Sequence, residues 1–65
     1  MIKVQYYRIL DSALSKAKRY DFTPNEFHYM LDGIISCAQQ DYGITPEDYL
    51  EINVYKDKIA GEIKK

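Results

Sequence analysis

The chain has 65 residues, a net charge of −1 and a single cysteine, Cys37. A chain this short hides only about 60% of the surface that its unfolded form exposes, so a core alone gives marginal stability. A disulfide within the chain is excluded, and Cys37 with His28 falls short of the four ligands of a structural zinc site. Good packing, self-association or both must supply what is missing. A lone cysteine fits a reducing cytosol, and residues 1–10 include Lys3, Gln5 and Arg8, which interrupt any apolar leader or spanning helix. The expectation is one cytoplasmic helical domain over 1–65, with no membrane association.

Segment 2–20 has helical periodicity. Ile2, Tyr6, Ile9, Leu10, Ala13, Leu14, Ala17 and Tyr20 fall on one side at 100° per residue, and Arg8, Ser12, Ser15, Lys18 and Arg19 on the other. Lys3 and Val4 break the pattern.

Two matching helix starts follow, Phe22-Thr23-Pro24-Asn25-Glu26-Phe27 and Ile44-Thr45-Pro46-Glu47-Asp48-Tyr49, 22 residues apart. In each, Thr is the N-cap whose oxygen accepts an unpartnered backbone N–H. Pro at the first helical position lacks only a donor that had no partner. Glu26 completes a capping box and Asp48 is its shorter equivalent, while Phe22/Phe27 and Ile44/Tyr49 have the spacing of a hydrophobic staple. These signals predict helices over 24–42 and 46–63. Phe27, Met30, Leu31, Ile34, Ile35, Ala38 and Tyr42 form the stripe of the first, with Asp41 as its intruder. Gly43 is expected to end that helix in a left-handed conformation. A connection of two or three residues then favours antiparallel neighbours.

The third helix carries two apolar lines. Tyr49, Ile52, Tyr55, Ile59 and Ile63 make one, interrupted by Lys56, and Leu50, Val54 and Gly61 lie on another side. The fold expected is an all-α three-helix bundle. The rival reading is α+β: segments 1–7 and 50–56 also alternate with a period of two, so short terminal strands could lie beside one or two helices.

Charge is segregated. Residues 1–20 sum to +4, residues 21–53 to −7 without a Lys or Arg, and residues 54–65 to +2. The plain reading is that basic outer segments pack near an acidic middle one. The sharper one is an acidic face of Asp32, Asp41, Glu47, Asp48 and Glu51 that meets a basic partner. Asp41 is expected either at a frayed helix end or in an ionic contact with Lys3 or Lys56.

No arrangement points to catalysis. Cys37 and His28 are nine residues apart, on opposite sides of one helix, so they cannot act as nucleophile and base. Cys37 reads as a small buried hydrophobe and His28 as a partly exposed structural residue. The scattered glycines form no phosphate loop. No catalytic, cofactor-binding or metal-binding residue is assigned. Of seven tyrosines, Tyr6, Tyr20, Tyr42, Tyr49 and Tyr55 lie on or beside apolar stripes. Tyr29 lies on the polar side of the second helix and Tyr7 on the edge of the first helix's face, as contact residues would.

Three functions fit. The first is a self-associating protein-interaction module with its interface at Leu50, Val54, Tyr55, Tyr29 and Tyr7. The second is an adaptor or inhibitor that offers the acidic segment to an unrelated protein. The third is a helix-turn-helix DNA-binding regulator, disfavoured because its recognition helix would lead with Pro46, Glu47, Asp48 and Glu51, which phosphates repel. In that reading Arg8, Lys16, Lys18 and Arg19 touch the backbone.

Overall fold

A computed structural model describes residues 2–63, and the side chain of Ile2 and the residues Lys64 and Lys65 lie outside what is described. Helix α1 covers Ile2–Arg19, α2 Pro24–Gln39 and α3 Pro46–Ala60. No strand occurs among the described residues, so the α+β alternative is overturned: the alternating segments 2–7 and 50–56 are both helical. Nor is any helix among them long and apolar enough to cross a membrane.

Side-chain pairs along the helices give the topology. Lys3 reaches Asp48 and Glu51, Tyr7 meets Tyr55, and Lys18 meets Glu62, so α1 and α3 run in the same direction. Tyr6, early in α1, donates to Asp41 just beyond the end of α2, so α2 runs the opposite way. The result is an up-down-up three-helix bundle of 34 × 16 × 16 Å. Each helix contributes one stripe to the core: Tyr6, Leu10, Ala13 and Ala17; Phe27, Leu31 and Ala38; Ile52 and Ile59, extended by Ile63 beyond the end of α3. Leu10, Leu31 and Ile52 are wholly buried.

Both predicted caps form. Thr23 Oγ1 accepts from the Glu26 N–H at 3.2 Å, and the Glu26 carboxylate accepts from the Thr23 N–H at 2.9 Å, closing the box. Thr45 Oγ1 accepts from the Asp48 N–H at 3.2 Å. The Asp48 carboxylate does not serve as the expected return half of a second box; it lies 3.5 Å from Lys3 Nζ.

The helix ends differ from expectation. Helix α2 stops at Gln39, three residues early, and α3 at Ala60. Gly43 has no positive φ and does not terminate α2. Asp41 does that work instead. Its Oδ1 accepts from the Gly43 N–H at 2.8 Å and its carbonyl from the Ile44 N–H at 3.1 Å, folding residues 40–45 into a turn. The connection is thus longer than the predicted two or three residues. The left-handed stop occurs after α1, at Asp21 with φ 58°. The Phe22 N–H returns to the Ala17 carbonyl at 2.9 Å, the long bond of a Schellman ending.

Candidate interaction surface

Only one stripe of a 15-residue helix can face the other two helices, and α3 has two. Ile52 and Ile59 take the inner side, with Tyr49 and Tyr55 half-buried at its edges. Leu50 and Val54, one helical turn apart and so neighbours on the surface, are left 65% and 70% exposed. They border a groove between α1 and α3 lined by Tyr7, Leu50, Glu51, Val54, Tyr55 and Lys58, with a volume of about 430 Å³.

The aromatic part of the groove is held in place. The Tyr7 and Tyr55 rings are 4.9 Å apart and tilted by 49°, a separation within the range of favourable aromatic pairs. The Tyr55 hydroxyl donates to Asp11 Oδ1 on α1, and this bond, followed by burial, raises the Tyr55 pKa. At one end, Lys3 Nζ donates to Glu51 Oε2 at 2.6 Å and approaches Asp48 at 3.5 Å. Hydrogen bonding to Glu51 is the main reason the Lys3 pKa is raised, against the opposing effect of burial. At the other end is Lys58, which has no ion pair among the described residues.

Four of the five predicted interface residues, Tyr7, Leu50, Val54 and Tyr55, therefore meet in one groove. Tyr29 does not join them. It is 80% exposed on α2, in a separate depression with Asn25, His28 and Asp32. Sequence reading misses the rim pair of Glu51 and Lys58 as a unit, although their seven-residue spacing around Val54 and their opposite signs are present in it.

Four of the five acidic residues lie at the end of the bundle where α1 starts, and Asp32 lies apart from them, midway along α2. Asp32 is on the outer side of α2, Asp41 is in the α2–α3 turn, and Glu47, Asp48 and Glu51 belong to the first turns of α3. Asp48 and Glu51 bind Lys3, so part of the negative middle segment is matched by the basic first one. Asp41 adopts neither predicted state: half-buried, it accepts from the Tyr6 hydroxyl at 3.1 Å and makes no ion pair with Lys3 or Lys56. Lys56 pairs with its neighbour Asp57 at 2.8 Å.

Other expectations at the stripe edges fail. Ile9, Tyr20 and Tyr42 are 47%, 62% and 106% exposed. Cys37 is exposed, not a buried hydrophobe, whereas the exposure of His28 agrees with its place at the rim of the stripe. Ile9 instead borders a second groove, between α1 and α2, with Arg8, Ser12, Lys16, Met30 and Ile34. No three His, Cys, Asp or Glu side chains among the described residues are grouped to hold a metal ion. No family model, curated protein or solved structure matches the chain.

Proposed function

We propose that this chain is a non-catalytic protein-interaction module that binds a second copy of itself through the α1–α3 groove. The observation that carries the reading is the exposure of Leu50 and Val54 beside the fixed rings of Tyr7 and Tyr55. Exposed apolar groups in contiguous array are a mark of contact surfaces, and immobilised tyrosines bind at little entropic expense. A second copy fits because the groove carries Glu51 at one end and Lys58 at the other, so the surface can complement itself. The small core adds a thermodynamic reason, since association stabilises the folded state by mass action. We assign the module to the cytosol, where an exposed Cys37 stays reduced, and to an adaptor or inhibitor role.

Light scattering on the size-fractionated chain tests this. Wild type should pass from monomer to dimer mass as concentration rises. Leu50→Glu with Val54→Glu should stay monomeric with unchanged helical circular dichroism, because both side chains are already in water in the monomer. A wild type that is monomeric at every concentration, or a double variant that still pairs, overturns the reading.

A further inference from the structure

We infer that two copies pair with their α3 helices antiparallel about a two-fold axis beside Val54, joined by two symmetric Glu51–Lys58 ion pairs. This rests on the self-association reading and adds to it a register and an orientation. Glu51 and Lys58 are seven residues apart, which is two helical turns and leaves them within about 20° of each other around the helix. Their midpoint falls at Val54 and Tyr55. In an antiparallel pair centred there, Glu51 of each copy meets Lys58 of the other, and both Val54 side chains lie near the axis.

The charges of α3 select this orientation. Its first half carries Glu47, Asp48 and Glu51, and its second half Lys56 and Lys58 against Asp57, which Lys56 engages at 2.8 Å. A parallel pair would set Glu51 against Glu51 and Lys58 against Lys58, and would align the helix dipoles. Like charges facing each other across an interface suppress that alternative. Both partners are available: the Lys58 ammonium has no ion pair among the described residues, and the Glu51 side chain remains 57% exposed while bound to Lys3.

Charge reversal provides the test. Glu51→Lys and Lys58→Glu should each weaken self-association by roughly tenfold or more at low salt, since each turns two attractions into two repulsions. The chain carrying both reversals should recover wild-type affinity. In a parallel pair neither single reversal changes the sign of any contact, so affinity would stay as in wild type. Thermal melts establish that each variant folds; if Glu51→Lys does not, because it sets a second cation beside Lys3, Glu51→Gln replaces it.

A second measurement does not depend on charge. In a Cys37→Ser background, Val54→Cys should cross-link the two copies on oxidation. Leu50→Cys should not, because the register separates its two copies by nine residues, about 13 Å along the axis, beyond the reach of a disulfide. Single reversals that pair like wild type, or cross-linking at position 50, overturn the register. A wild-type chain that never leaves the monomer overturns the self-association reading itself, so the two failures are distinguishable.

Discussion

The Tyr6 hydroxyl donates to Asp41 Oδ2 at 3.1 Å, while Asp41 Oδ1 accepts from the Gly43 N–H at 2.8 Å. One carboxylate thus joins the first turns of α1 to the loop that follows α2. Burial of the ring is the main reason the Tyr6 pKa is raised above 10.0, with the Asp41 bond and its charge adding to the effect. A raised folded-state value favours the neutral phenol in the native state. The stabilisation is therefore complete below the unfolded pKa and is lost as pH rises through the folded one. Tyr6→Phe should cost about 0.5–1.5 kcal/mol at neutral pH, the net value of one hydrogen bond, and should flatten part of the alkaline loss. Denaturant melts from neutral to strongly alkaline pH check both. Tyr55 and Lys3 are shifted in the same direction, so Tyr6→Phe should keep the rest of the slope. An unchanged slope would mean that the Tyr6 phenol is not held neutral by the native fold, neither by burial nor by Asp41.

Helix α2 begins and ends by different means, and this governs what its sequence discloses. The start depends on residues within three positions of one another, Thr23 to Glu26, so it can be read before any fold is known. Thr23→Ala should cost about 1 kcal/mol by removing that cap, measured as a lowered denaturation midpoint. The stop centres on Asp41, whose bonds to Gly43 and Ile44 are local, while its carboxylate also meets Tyr6, 35 residues away in the chain, a contact that no local pattern reports. Asp21 presents the same difficulty after α1, because glycine is the residue usually expected at φ 58°. Stripe centres such as Leu10, Leu31 and Ile52 are legible, since every arrangement of amphipathic helices buries them. Stripe edges such as Ile9 are not, because periodicity does not say on which side the neighbouring helix lies. The α3 groove was partly legible for the converse reason: Leu50 and Val54 lie so far from the Ile52 line that no single packing buries both. Within α2, a Cβ added at Gly33 meets nothing within 4 Å. Gly33→Ala should therefore raise stability by about 0.5–1 kcal/mol, the helix-propensity difference. A loss of stability there would reveal a contact that the isolated chain does not make.

In a molecule this small, self-association of the kind proposed would be coupled to folding. The three helices bury one stripe each and leave the Leu50–Val54 line of α3 outside, so the monomer presents apolar surface that its own described helices do not cover. If two copies cover it for each other, the folded state is drawn toward the dimer and unfolding requires dissociation. The melting temperature of wild type should then rise with protein concentration, following mass action. The chain with Leu50→Glu and Val54→Glu should melt at one temperature throughout, near the dilute limit of wild type, because these substitutions change exposed positions and leave Ile52 and Ile59 in place. Leu31→Ala provides the contrast. Truncating a wholly buried leucine costs about 2–5 kcal/mol, comparable to the entire stability of a domain this size, and should lower the melting temperature at every concentration while leaving the groove intact. High protein concentration should then recover part of the loss, since the dimer still binds folded chains alone. Calorimetry over a concentration series separates the two. If wild type and the double Glu variant both melt independently of concentration, the bundle is stable unaided and the α1–α3 groove contributes nothing to it.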